Sequence, residues 1–149
     1  MFKRILIPTD GDDFGQQAME EGFDLARAAG GEVTLLFALE PPYDRTYVYG
    51  PQRLEEMGET LEAMRRQASQ KLETFAAEAQ ARGVPISTLI VEDHPVPAIL
   101  SHAKDYDLVV MASHGRKGID RVLMGSVTDK VLHNCMTPVL VVRGTVAEA

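Results

Sequence analysis

Runs of successive apolar residues recur along the chain, and between them apolar positions return every third or fourth residue. The runs are KRILIP at 3–8, EVTLLFAL at 32–39, the more polar PISTLIV at 85–91, DLVVMA at 107–112 and PVLVV at 138–142. Each is rich in Val, Ile or Leu and is bounded by Gly, Pro or Asp. Apolar residues on successive rather than alternate positions predict strands covered on both faces.

Between the runs the spacing is helical. Behind Asp12 and Asp13, which are candidate caps, come Phe14, Ala18, Gly22, Leu25 and Ala29, and Gly30-Gly31 then ends the helix. From Gln52 to Arg82 one stripe carries Leu54, Met57, Leu61, Met64, Ala68, Leu72, Phe75 and Ala79. An unbroken helix of that length would measure roughly 46 Å, about twice a typical strand. The pattern therefore predicts either a break near Gly58 or an end that projects. A short helix is expected over Pro95–Ala103, with proline in its first turn where it is tolerated, and a last one over Ser126–Asn134. Strands and helices in this alternation imply right-handed βαβ crossovers, a five-stranded parallel sheet and a three-layer α/β sandwich. Residues 1–144 would form one domain and 145–149 a fraying tail.

Composition narrows the field. A hydrophobic share of 45% in 149 residues suffices for one core and argues against a disordered chain. No apolar stretch approaches the ~20 residues of a membrane span. The opening MFKRILIPTD has too short an apolar part for a signal peptide, and the single cysteine, Cys135, allows no internal disulfide. Both point to the cytoplasm, with Cys135 a small buried hydrophobe near a helix end. A net charge of -7 with scattered basic residues argues against nucleic acid as a partner. It leaves room for a small phosphate ligand held by backbone amides.

In a sheet ordered 3-2-1-4-5, ligands bind beyond the carboxyl ends of the strands where the order reverses, here between the first and fourth. The segments after those strands are PTDGDD and ASHGRKG. After Gly115 nine residues intervene before Gly125-Ser126 opens the last helix, and Ser126 with Asp129 resembles a capping box. The first-turn amides of Ser126, Val127 and Thr128 would point outward, where an anion gains hydrogen bonds and the helix dipole together. Two readings stand at this point: an ordinary capped turn, or a phosphate cradle. Neither G-x-x-x-x-G-K-[ST] nor a G-x-G-x-x-G after the first strand is present, which disfavours a P-loop hydrolase and a dinucleotide dehydrogenase.

Over essentially its whole length the chain resembles the universal stress protein family. The marker is G-x-x-G, nine residues, G-[ST], followed by a last strand like PVLVV; here it stands as Ala112-Ser113-His114-Gly115, nine residues, Gly125-Ser126. ILIPTDG and VEDHPVPAIL match as well. The resemblance implies a Rossmann-like, adenine nucleotide alpha hydrolase-like fold, commonly dimeric, and places the chain in the branch that binds ATP. Pro8, Thr9 and Asp10 would line the adenosine side, and Ala38 would pack near adenine. Met111, Ala112, Ser113, His114, Gly115, Arg116, Lys117 and Gly118 would wrap ribose and phosphates. Gly125, Ser126, Val127 and Thr128 would hold the phosphate end. ADP or AMP could replace ATP, and Mg²⁺ would enter through the phosphates. Two positions depart from the family pattern: Ala112 replaces the first glycine, and Asp93 stands where many relatives carry glycine. Alanine at 112 costs little at negative φ, and about 1 kcal/mol or more at positive φ.

The remaining polar residues have two readings each. His114 either bonds a phosphate or stabilises a turn, and Arg116, Lys117 and Arg121 either screen phosphates or form a solvated loop. Asp12 and Asp13 fit helix capping better than Mg²⁺ ligation, and His94, His102 and His133 lack metal-site spacing. Tyr43, Tyr47 and Tyr49 make PPYDRTYVYGP too aromatic for a plain linker, suited to a lid or an intersubunit contact. The leading function is a nucleotide-sensing binding module of the stress response. The alternatives are a slow ATPase, for which no general base stands out, and a dimeric scaffold with a vestigial pocket. PVLVV as an edge strand suits pairing with a second copy, and a higher oligomer is compatible with that.

Overall fold

The strands form where the apolar runs are unbroken, because a residue covered on both faces of a sheet finds no water on either. The computed structural model describes residues 2–10, 15–42, 44, 46–113 and 125–143. Within them β1 spans Arg4–Pro8, β2 Glu32–Ala38, β3 Ile86–Val91, β4 Leu108–Ala112 and β5 Val139–Val142. All neighbours pair in parallel, in the order β3-β2-β1-β4-β5. The helices are α1 Gln16–Ala29, α2 Pro51–Ala81, α3 Pro95–Ala103 and α4 Ser126–Asn134.

The pleat sorts the core into two layers. Ile5, Ile7, Val33, Leu35, Leu108 and Val110 pack with Met19, Phe23 and Ala26 of α1 and Leu72 and Ala79 of α2. The residues of opposite parity, Leu6, Leu36, Val109 and Met111, pack with Ala98 and Ile99 of α3 and Val131 of α4. The sequence-based architecture and strand order are observed. The edges differ: β3 exposes Ser87 and Thr88, whereas β5 is Val-Leu-Val-Val with Leu140 38% exposed. Among the described residues no helix is long and apolar enough to cross a membrane.

Glycines and one aspartate set the turns. Gly30 takes φ 66° at the C-cap of α1, a conformation that costs glycine little, and its N–H reaches back to Ala26 and Arg27. At the start of β1, the Asp107 carboxylate accepts the amides of Arg4 and Lys3, which hold it below its ordinary range. The cap position of α1 falls to Gly15. Asp12 and Asp13, expected as caps, lie outside the described residues, as does Phe14. Of the expected stripe Ala18 and Gly22 are buried, joined by Met19, Phe23 and Ala26, while Leu25 is only partly buried.

Of the two alternatives for the long helix, a break near Gly58 or a projecting end, the break is absent: α2 runs without interruption for 31 residues. Gly58 lies on an exposed turn, so its helix penalty of about 1 kcal/mol is borne locally without opening the backbone ladder. A Cβ added there would meet nothing within 4 Å. Gly58→Ala should therefore raise stability by about 0.5–1 kcal/mol, read as a higher midpoint in urea at unchanged slope.

Candidate functional site

β1 and β4 pair only at Ile5↔Leu108 and Leu6↔Val109. On their other sides both strands stay paired further, to Pro8↔Leu36 and Ala112↔Val142. Beyond Leu6 and Val109 the two central strands therefore part, each following its outer neighbour. Their exits continue the divergence: the Thr9 N–H donates to Leu36 O at 2.9 Å, and the Ser113 N–H donates to Val142 O at 2.9 Å. The crevice at the strand-order reversal is this gap, with Thr9 and Ser113 buried at its two sides.

α4 is tied to the β4 side of the gap. The Gly125 N–H donates to Ser113 O at 2.7 Å, and the Thr128 hydroxyl donates to Ala112 O at 2.8 Å. The Gly125 carbonyl accepts the Asp129 N–H at 3.0 Å, which makes Gly125 the N-cap and Ser126 the first helical residue. The expected Ser126–Asp129 capping box is thus corrected: Asp129 sits one position too far along, and no side chain among the described residues caps the helix. A glycine cap offers no side-chain oxygen, so among the described residues the first-turn amides of Ser126, Val127 and Thr128 keep their donor capacity beside the positive end of the helix dipole. Ser113, whose carbonyl holds the Gly125 N–H, has a buried hydroxyl with no hydrogen-bond partner among the described residues. Such a group is costly to leave unpaired. An anionic ligand accepting from these amides and this hydroxyl fits the donor set.

The other residues expected at the site divide. Pro8 ends β1 and Thr9 and Asp10 follow it on the β1 side of the gap, and Gly15 stands close by, since a Cβ on it would lie 3.8 Å from Thr9 Oγ1. Ala38 ends β2 opposite Val91 and is half-buried. Met111 is 5% exposed in the core under α3 and α4, and Val127 packs against the same cluster, so only its backbone faces outward. His114, Gly115, Arg116, Lys117, Gly118 and Arg121 lie outside the described residues. No described non-glycine residue has positive φ, so Ala112 and Asp93 replace glycine without backbone strain. Asp93 instead folds the exit of β3: its N–H donates to Val91 O, and its carboxylate accepts the His94 N–H at 2.8 Å. His94 Nδ1 lies 3.8 Å from Glu40, and Arg65 of α2 pairs with Glu92. None of these ties, nor the Thr128 tether, was foreseen; each joins residues whose proximity only the tertiary fold creates. Cys135 is half-buried at the end of α4.

The universal stress protein family model matches residues 1–143. The chain belongs to the universal stress protein family. It is 33% identical over 146 residues to universal stress protein MJ0531 of Methanocaldococcus jannaschii, covering 96% of this chain and 83% of that one. Universal stress protein MJ0577 of the same organism is 28% identical over 155 residues. Its solved structure superposes with a TM-score of 0.83, covering 99% of each chain. Two further solved proteins share the fold at greater distance. A universal stress protein in complex with cAMP is 24% identical, with a TM-score of 0.61 over 95% of this chain and 97% of that one. An Arabidopsis thaliana family member with AMP bound is 17% identical, with a TM-score of 0.66 over 95% and 91%.

Proposed function

We propose that this universal stress protein is a regulatory module that binds an adenine nucleotide in the gap between β1 and β4. The observation that carries the reading is the start of α4, which has no side-chain cap among the described residues and is tied through the Gly125 N–H to Ser113, whose buried hydroxyl has no hydrogen-bond partner among them. Phosphate oxygens accept from the amides of Ser126, Val127 and Thr128 and gain the helix dipole with them. The nucleoside lies toward Pro8, Thr9, Asp10 and Ala38, with Asp10 accepting from ribose hydroxyls or the base. ATP is the expected ligand, with ADP or AMP in its place at lower energy charge, and Mg²⁺ carried on the phosphates. The AMP- and cAMP-bound relatives support an adenine nucleotide as the class.

The apolar edge of β5, flanked by exposed Leu132 and Met136, fits a homodimer in which the same strand of a second copy pairs along it. The test of the nucleotide reading is calorimetric titration of ATP and AMP, with Mg²⁺, into stripped protein. Micromolar affinity for ATP, about −8 kcal/mol, is the expected result. Folded protein that takes up neither nucleotide would overturn the reading.

A further inference from the structure

The ion pair between Arg65 and Glu92 marks the level at which α2 passes the carboxyl edge of the sheet, because Glu92 directly follows β3. At the other end of the pairing, Ala79 lies beside Val84, just before β3 begins. The N-terminal part of α2, residues 51–64, therefore rises beyond the strands by roughly 21 Å at the helical rise. Every residue of its first turns except Met57 is exposed, Leu54 by 54%. Immediately before this helix, Tyr47 and Val48 are exposed by 70% and 97%.

This apolar display is preformed. The Asp44 carboxylate accepts the Thr46 N–H at 2.8 Å and its hydroxyl at 2.7 Å, and the Tyr49 hydroxyl accepts the Asp44 N–H at 3.1 Å. The rings of Tyr47 and Tyr49 lie 6.1 Å apart. Tyr49 and Leu54 hold the two positions of a hydrophobic staple around the Gly50 cap. Contacts formed before binding reduce the entropy lost on binding, and tyrosine is a favoured anchor.

Charge selects the occupant. Arg53, Arg66 and Arg65 pair with Glu56, Glu62 and Glu92. Glu55 and Glu59, exposed and one helical turn apart, have no ionic partner among the described residues. The surface is therefore apolar with a net acidic rim, which repels both its own copy and an anionic membrane. We propose that residues 47–62 form a docking surface for a basic amphipathic helix of a partner protein, its apolar side chains on Tyr47, Val48 and Leu54 and its Lys or Arg residues facing Glu55 and Glu59.

The probe is a synthetic Lys/Leu peptide of about eighteen residues, five helical turns, with leucine at helical spacing. A scrambled peptide of equal composition and a Glu/Leu counterpart serve as controls. Titrated into the ¹⁵N-labelled full chain, the Lys/Leu peptide should shift amides within residues 46–62. Val48→Ser/Leu54→Ser and Glu55→Lys/Glu59→Lys should each weaken it about tenfold, a loss of roughly 1.4 kcal/mol. These positions are exposed, and circular dichroism confirms that the variants fold. Equal binding of the scrambled peptide, unchanged affinity in either variant, or shifts spread over other acidic surfaces would overturn the proposal. So would self-association through residues 46–62, or binding to anionic phosphatidylserine vesicles that the serine variant abolishes. None of these positions belongs to the nucleotide gap, so this test and the ATP titration fail independently.

Discussion

Gly125→Asp should abolish nucleotide binding while leaving α4 at least as stable as before. Gly125 sits at φ −57°, ψ 151°, a conformation open to any residue, so the substitution meets no backbone strain. Aspartate is the better N-cap by a few tenths of a kcal/mol, because its carboxylate accepts the N2 and N3 amides. Those amides belong to Val127 and Thr128, the donors assigned to the phosphates. The carboxylate would occupy them and repel the phosphate charge at once. Two charge-assisted hydrogen bonds at about 1.5–3 kcal/mol each correspond to at least a hundredfold loss of affinity. Calorimetry and thermal melting on the same sample separate the two effects: lost binding with an unchanged or raised Tm. Gly125→Asn, which caps without a full charge, should lose less. Wild-type affinity in the aspartate variant would mean that the phosphates do not lie on α4.

Gly31→Ala should lower the Tm by roughly 5–10 °C, the counterpart of about 2–3 kcal/mol of overpacking in a domain of this size. A Cβ at Gly31 would overlap the backbone carbonyl of Lys3. The chain cannot step aside there. The Gly31 N–H is bonded to Ala26 O at 2.8 Å, and the Glu32 N–H to Lys3 O at 2.7 Å. Moving either end disturbs the C-cap of α1 or the first rung between β1 and β2. The same chemical change at Gly58 carries the opposite sign, since nothing surrounds that position. Thermal unfolding followed by circular dichroism checks the pair together. A Gly31→Ala protein melting within a degree of wild type would show that the two segments do not approach so closely.

The layered sheet was legible because Ile5, Leu6 and Ile7, like Leu108 to Met111, are apolar in unbroken succession, a pattern only a strand buried on both faces requires. Gly30 was legible as a stop because it supplies the left-handed turn a helix end demands. The course of α2 was only half legible. Its length allowed a break or a projecting end and could not choose, because Leu54, Met57, Leu61 and Met64 repeat as a core stripe does although they lie beyond the strands. Periodicity identifies a face and says nothing of what it rests on. The cap of α4 was misread by one residue, because the bond from Gly125 to Ser113 is tertiary and leaves no local trace. The orphaned Ser113 hydroxyl has the same origin: burial of a serine depends on β5 and α4, which arrive later in the chain.

The unlike edges of the sheet bear on how far copies of this chain can assemble. A strand row grows without limit when each molecule offers two edges that accept one another, since every addition leaves a fresh end. Here Val139–Val142 presents one apolar edge, whereas Ser87 and Thr88 make the far edge polar and Glu92 charges its end. Head-to-tail stacking of β5 on β3 would bury those polar groups opposite valines and is disfavoured at every step. Two copies meeting β5 to β5 would consume both β5 edges and leave outermost the β3 edges, with their exposed Ser87 and Thr88. Such a pair would offer no further β5 edge, so growth by pairing along β5 would stop at two copies.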